Sequence, residues 1–444
     1  MTSGKQLYLF KHDQLNTLRT RQDYNDYLKR DNISNKEIMK IIEISPFEDI
    51  NIRLIKLLGS RKDKSLVPFF INIINNKDKK YSNKESIEAV SSIGRMRDKD
   101  INEKYLVPLI KNKNPEIILQ VIRALLVFKK EPNIEEKLKK IYEDTNNEII
   151  KDILDVEFKF NKLDYDTPTT HTQVNPKYKN KVINVDVLEF LNEMDKNQIH
   201  LTFTSPPYYN ARDYSTYFSY EEYLDFLEEV FKEVYRVTKD GRFLVVNTSP
   251  VIIPRTGRKY SSKRYPIPFD LHNRLVNNGW EFIDDIIWKK SEASVKNRIG
   301  NFMQHRKPLT YKPNTITEYV MVYRKKSHKL IDWNLKSYPE DIMSDSLVKE
   351  PYESNNVWEI EPSIDRVHSA VFPKKLCDNI VKYYSLRGDL VFDPFAGSGT
   401  LGKVALENER NILLTEINET YYDRIKGNLN EYSTKIEYIK ERYD

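Results

Sequence analysis

Two short stretches of this sequence have the residue types and spacing to do chemistry. The first is Thr204-Ser205-Pro206-Pro207-Tyr208-Tyr209-Asn210. Successive prolines fix φ twice and remove two amide donors, so the loop is rigid and its carbonyls are left to accept. A hydroxyl and an aromatic ring beside them can hold an amino group and stack on a flat base. The second stretch is Val391-Phe392-Asp393-Pro394-Phe395-Ala396-Gly397-Ser398-Gly399-Thr400. Its glycines let the backbone approach a ligand closely, and a following helix offers free amides. Further on, Thr415-Glu416 ends another apolar run with a carboxylate suited to ribose hydroxyls. Taken alone, each stretch would serve equally well as a tight turn. No Lys-Ser/Thr follows the glycines at P-loop spacing, which argues against a nucleoside triphosphatase.

Both loops need strands to position them. Val182-Ile183-Asn184-Val185, Ile199 to Phe203 and Arg242 to Asn247 read as strands. Leu188 to Met194 reads as a short helix, and Tyr220 to Val237 as a strong amphipathic one. The alternation resumes at Leu390-Val391-Phe392, at the helix Leu401 to Glu407, and at Asn411 to Leu414. Alternating strands and helices predict an α/β, doubly wound parallel sheet over 182–444, with an irregular insertion at about 289–356. Such sheets bind ligands beyond the carboxyl ends of their strands, which is where both loops fall.

Residues 1–165 have a different texture. Ile38, Ile41 and Ile42, then Ile52, Ile55 and Leu58, then Ile117, Val121, Ile122 and Leu125 follow helical spacing. Gly59 to Asp63, leading to Leu66-Val67-Pro68, is echoed by Gly94 to Asp98, leading to Leu106-Val107-Pro108. An all-α, HEAT-like array of paired helices is the expectation, with a plain bundle as the alternative. Asp166-Thr167-Pro168 and Asn175-Pro176 mark 166–181 as a linker.

At 444 residues, two or three domains are expected. Mean hydropathy is -0.65 and 31% of residues are charged, and no apolar run approaches a membrane span. Met1 to Lys5 lacks the apolar core of a secretory signal. The single cysteine, Cys377, leaves neither a disulfide framework nor a Cys-rich zinc module, and no metal site is expected. A cytoplasmic protein fits these features. A net charge of +6 suits a polyanionic partner only weakly.

Taken together, the two loops resemble motifs IV and I of the β-group DNA amino-methyltransferases, the family that acts on N4 of cytosine or N6 of adenine. His368-Ser369-Ala370-Val371-Phe372-Pro373 resembles motif X, just ahead of motif I. Asn184-Val185-Asp186, Val234 to Gly241 and Ile286-Ile287-Trp288-Lys289-Lys290 resemble further family stretches. The resemblance implies S-adenosylmethionine as cofactor and double-stranded DNA as substrate, with the target base flipped out of the duplex. It implies that Ser205 and the Pro206 carbonyl accept from the amino group, that Pro207 stiffens the loop, and that Tyr208 stacks on the base. Asp393, Phe395, Gly397 and Gly399 would surround the methionine part, Glu416 the ribose and Asp186 the adenine amino group. Phe372 and Pro373 would close the pocket. Val185 replaces the glycine that usually precedes that aspartate. Ser-Pro-Pro-Tyr points to cytosine N4, with adenine N6 as the alternative on the same geometry. A non-catalytic DNA-binding protein is a further alternative, disfavoured by two intact loops. A companion restriction endonuclease follows from family habit alone.

The insertion at 289–356 is where the family keeps its target-recognition segment. It is basic in its first part: Lys289, Lys290, Arg298, Arg306, Lys307, Arg324 and Lys325. Arg255, Arg258 and Arg264, with Tyr260, form a second basic stretch for phosphates. The helical region is a further candidate for DNA or for a protein partner.

Overall fold

The computed structural model describes residues 15, 18–29, 33–76, 79–158, 171–209, 217–253, 257, 259–294, 308–309, 313–327, 331–363 and 372–440. The chain divides into two compact units, Met1–Leu163 and Asp164–Asp444. None of the described helices is long and apolar enough to cross a membrane.

The first unit is helical throughout its described residues, and its helices start where local chemistry says they should. Thr20, Ser34 and Ser82 each accept from the third residue of the helix they precede, and Asp23, Glu37 and Glu85 reach back to close a capping box. Ile38, Ile41, Ile42, Leu54, Ile55, Leu58, Phe70, Val90 and Ile93 form one continuous core. The echo around the two glycines has a packing counterpart. A Cβ on Gly59 would collide with the Ser92 side chain, and one on Gly94 would lie 2.8 Å from Ala124 Cβ. Each glycine thus lets its helix press against the next. Lys62 and Arg97, three residues beyond each glycine, both take positive φ, at 52° and 50°. Asp63 and Asp98 then cap the next turn.

The second unit is built on a nine-stranded sheet in the order β11-β1-β10-β9-β2-β3-β7-β6-β8. The strands are β1 Lys181–Asn184, β2 Ile199–Thr204, β3 Thr238–Thr248, β6 Trp280–Lys289, β7 Thr317–Lys325, β8 Val357–Glu359, β9 Leu390–Asp393, β10 Asn411–Thr415 and β11 Glu437–Lys440. A separate hairpin pairs β4 Val251–Ile253 with β5 Lys263–Tyr265. From β11 to β3 all neighbours are parallel. β7 runs antiparallel between β3 and β6. Every residue of β2 and β9 is buried, as expected of strands covered on both faces. Leu224, Leu227, Val230, Phe231 and Val234 of the helix Tyr220–Val237 cover one face of the sheet. Leu376, Cys377, Ile380, Leu401 and Val404 belong to the core on the other.

Two sequence expectations need correction. The insertion is not irregular throughout, because Thr317–Lys325 is an interior strand. Its run Tyr319 to Tyr323 hydrogen-bonds on both sides. Arg324 and Lys325 are therefore not loop cations: Arg324 pairs with Glu281 at 2.6 Å, and Lys325 faces Asp240 at 3.4 Å and is nearly buried. Nor is the end of the segment read as a linker a free tether. Residues 166–170 lie outside the described residues, but His171 and Tyr178 are buried, and the Tyr178 hydroxyl donates to Asp195 at 2.8 Å.

Candidate active site

The sheet order explains how two loops distant in sequence meet. β9 and β2 are immediate neighbours in register, Leu201 opposite Val391 and Thr202 opposite Phe392, so their carboxyl ends open together. Across this edge the strands β1, β10, β9, β2 and β3 deliver Asp186, Glu416, Asp393, Ser205 and Asn247 in that order. One cleft of roughly 570 Å³ is lined by Asp186, Ser205, Pro206, Pro207, Tyr208, Phe372, Asp393, Phe395, Gly397 and Glu416. That size is ordinary for a small-molecule site. Gly399 and Pro373 do not line it. Gly399 sits behind the loop at φ 77°, where a Cβ would lie 3.0 Å from Ile425. Pro373 precedes the helix Lys374–Tyr384.

The acidic half of the cleft is held by hydrogen bonds from backbone amides and one side-chain hydroxyl. Asp393 accepts from the Thr204 hydroxyl at 2.7 Å and from Phe395 N–H at 3.1 Å, which ties one loop to the other. Glu416 accepts from Gly397 N–H at 2.8 Å and Asn418 N–H at 2.9 Å. Asp186 caps the helix Val187–Glu193 through Leu188 N–H at 2.8 Å. Phe372 stacks on Phe203 at 4.6 Å. Burial raises the Glu416 carboxyl above its ordinary range. Burial, with the Glu416 charge acting in the same direction, pushes Asp393 up to about 7.

The shift at Asp393 predicts a pH dependence of stability. An unfolded aspartate ionises near pH ~4. Between there and about pH 7 the folded protein holds a proton that the unfolded chain has lost. The favourable contribution of that proton is complete below the lower value and is lost as pH rises through the upper one. Asp393→Asn keeps an acceptor for Thr204 and Phe395 but cannot titrate. Melting temperature measured across this window should fall with pH in the wild type and fall less steeply in the variant.

Behind the Ser205 to Tyr208 wall of the cleft lie residues that sequence reasoning missed. The Tyr208 hydroxyl donates to Glu318 at 3.1 Å. Asn247 Nδ2 donates to the same carboxylate oxygen at 2.6 Å and lies 3.5 Å from Ser205 Oγ. The Lys290 ammonium pairs with the other oxygen of Glu318 and sits 4.3 Å over the Trp288 ring. Burial, followed by the charge on Glu318, drives the Tyr208 phenol far above its ordinary value, so it stays protonated. The signal for Asn247 was a polar residue near the carboxyl end of an otherwise apolar strand. Glu318 gave no signal until β7 was known to run antiparallel, which brings its first residues to the edge where its neighbours end.

Of the cations expected to meet DNA, Lys289 pairs with Glu359 at 2.6 Å, and Lys290 pairs with Glu318 behind Tyr208. Arg255, Arg258, Arg298, Arg306 and Lys307 lie outside the described residues, as do His368 to Val371. Lys259, Tyr260, Lys263 and Arg264 are exposed on the hairpin segment. Tyr265 anchors that segment on Tyr209, next to the Pro-Pro loop, at a ring distance of 4.9 Å.

A family model described as DNA methylase matches residues 199–427. The type II methyltransferase M.MwoI of Methanothermobacter wolfeii is 29% identical over 280 residues, covering 59% of this chain and 36% of that protein. The type II beta methyltransferase M.BslI of Bacillus sp. (strain NEB-606) is 26% identical over 333 residues, covering 68% and 35%. The orphan methyltransferase M.BamHII of Bacillus amyloliquefaciens is 31% identical over 257 residues, covering 53% and 89%. The chain thus spans about a third of the length of the first two relatives and most of the third.

Proposed function

The chain belongs to the N6/N4 DNA methylase family, and from that premise we propose that it methylates double-stranded DNA at N4 of cytosine, with S-adenosylmethionine as methyl donor. The observation that carries this reading is the single cleft shared by Ser205 to Tyr208 and by Asp393 to Gly397 and Glu416.

The cleft suits the cofactor chemically. Three carboxylates, Asp186, Asp393 and Glu416, line one side, where a sulfonium and an ammonium need negative charge. Phe395 and Phe372 offer flat apolar walls. Asp393, Phe395 and Gly397 would hold the methionine part, and Gly399 shapes that loop from behind. Glu416 would take the ribose hydroxyls and Asp186 the adenine amino group, with Phe372 closing the pocket. When bound, the cofactor supplies an electrophilic methyl group. Everything else falls to the protein. An exocyclic amino nitrogen is a poor nucleophile because its lone pair is delocalised into the ring. Ser205 Oγ and the Pro206 carbonyl accept hydrogen bonds from its two N–H groups, which tips the nitrogen toward sp³ and localises the lone pair on it, out of conjugation with the ring. Tyr208 stacks on the flipped base. No covalent bond to the protein forms, so positioning and electrostatics supply the rate.

Serine at the head of the loop supports cytosine over adenine, on the family pattern. The exposed Lys259, Lys263 and Arg264, beside Tyr209, support phosphate contacts near the flipped base. In this reading the insertion at about 289–356 serves target recognition, the first unit is a HEAT-like array, and a companion endonuclease completes a restriction-modification pair. The test is to incubate the full chain with DNA and labelled S-adenosylmethionine, digest to nucleosides and analyse by mass spectrometry. N4-methyldeoxycytidine is expected. N6-methyldeoxyadenosine would replace the base assignment, and DNA without label would sink the reading.

A further inference from the structure

We propose that Glu318 is the positioning residue that sets the direction of the hydrogen bonds reaching Ser205, an inference that rests on the amino-methyltransferase reading above. Glu318 follows the first residue of β7 and is largely covered, its side chain 14% exposed. Three donors from three different elements converge on it: the Tyr208 hydroxyl, Asn247 Nδ2 and the Lys290 ammonium. A carboxylate can only accept, so none of these bonds can reverse.

That one-way character passes on to the reacting group. Tyr208 gives its only proton to Glu318 at 3.1 Å, so its oxygen lone pairs are left facing the Ser205 and Ser249 hydroxyls, which lie within hydrogen-bonding reach. Asn247 must turn its nitrogen, not its oxygen, toward Glu318, and therefore also toward Ser205. Asn247 Oδ1 is buried and makes no hydrogen bond among the described residues, so the other end of the amide does not set its orientation. Glu318 does. Ser205 can then give its own proton to Tyr208 and keep a lone pair for the incoming amino group. Lys290, paired with Glu318 and braced on Trp288, sets a positive charge beside the carboxylate in a covered place. Glu318 itself need not touch the base. It acts through Tyr208 and Asn247.

The test compares wild type, Glu318→Gln and Glu318→Asp, measuring kcat, KM for DNA, cofactor affinity and melting temperature. Glutamine preserves shape but brings a donor, so Tyr208 and Asn247 can reverse. Aspartate preserves the acceptor and the charge at the cost of reach. The expected result is a kcat for Glu318→Gln lower by about tenfold to a hundredfold, with KM and cofactor affinity nearly unchanged. Glu318→Asp should retain more activity than Glu318→Gln. A side chain that merely fills space gives the opposite order, and that order would overturn the proposal. So would Glu318→Gln within twofold of an active wild type, or a loss of activity that tracks lost cofactor binding and a lowered melting temperature. Tyr208→Phe provides a second variant that leaves Glu318 and Lys290 in place, and it should reproduce part of the kcat loss; full activity there would also overturn the proposal. An inactive wild type would bring down the methyltransferase reading itself.

Discussion

Tyr208→Ala should lower kcat/KM for methyl transfer to DNA by about a hundredfold or more while leaving cofactor affinity close to wild type. The stacking of one base on an aromatic ring is worth about 1–3 kcal/mol, and each ~1.4 kcal/mol is a factor of ten in rate. The same change removes a donor from Glu318, leaving a covered carboxylate with one partner fewer. Both losses fall on the base side of the cleft. The carboxylates expected to hold the cofactor take their hydrogen bonds from Thr204, Phe395, Gly397 and Asn418, not from Tyr208. Single-turnover methylation together with a cofactor titration separates the two. An equal loss of cofactor binding would mean that Tyr208 supports the whole cleft, and an unchanged rate would remove it from the reaction.

Asp389→Ala should destabilise the second unit by about 3–5 kcal/mol, the usual cost of breaking a buried ion pair by removing one partner. Asp389 lies at the opposite end of the sheet from the cleft and is fully buried. Burial works against its charge, but Arg242 and His200, with the hydrogen bonds of Tyr338 and Leu386 N–H, more than offset this and hold the carboxyl below its ordinary range. Arg242 faces it at 3.4 Å, and the Tyr338 hydroxyl donates at 2.5 Å. His200 Nδ1 accepts from Leu390 N–H at 3.1 Å, which leaves Nε2 to donate to the His171 carbonyl at 3.0 Å. With Asp389 gone, Arg242 is a buried cation without its anion. The double variant Asp389→Ala/Arg242→Met should therefore be more stable than Asp389→Ala. Denaturant unfolding checks the order, and a double variant weaker than the single one would refute the argument.

Much of this was legible in the residues. The helix Tyr220–Val237 was readable to its ends because Ser219 and Glu222 cap it and a clean apolar stripe runs along it. The parallel strands β1, β2, β3, β9 and β10 announced themselves as short apolar runs, whereas β8 and β11 did not. β7 was harder. Its apolar core, Tyr319 to Tyr323, is flanked by Glu318 and Arg324, and the charges drew it into the basic insertion. In the folded protein those flanks lie at the two rims of the sheet, where charge is tolerated. The base-side network was hidden for a related reason. Asn247 and Glu318 belong to two strands and Lys290 follows a third, and only the antiparallel course of β7 brings Glu318 to the other two. Local periodicity carries no information about that pairing. The acidic half of the cleft was readable because glycines and a carboxylate are packed into one continuous stretch.

The Thr204 to Asp393 hydrogen bond and the β2–β9 register have a consequence for how this site could be taken apart. The two halves of the cleft are held by lateral pairing, and covalent continuity between them does no geometric work. A cut between β7 and β9 would leave β1, β2 and β3 on one piece and β9, β10 and β11 on the other. Chain order is a matter of how the protein is threaded, while neighbourhood in the sheet determines what it can hold. Two separately made pieces would have to set β2 against β9 and β1 between β10 and β11 to carry the same cleft as the unbroken chain.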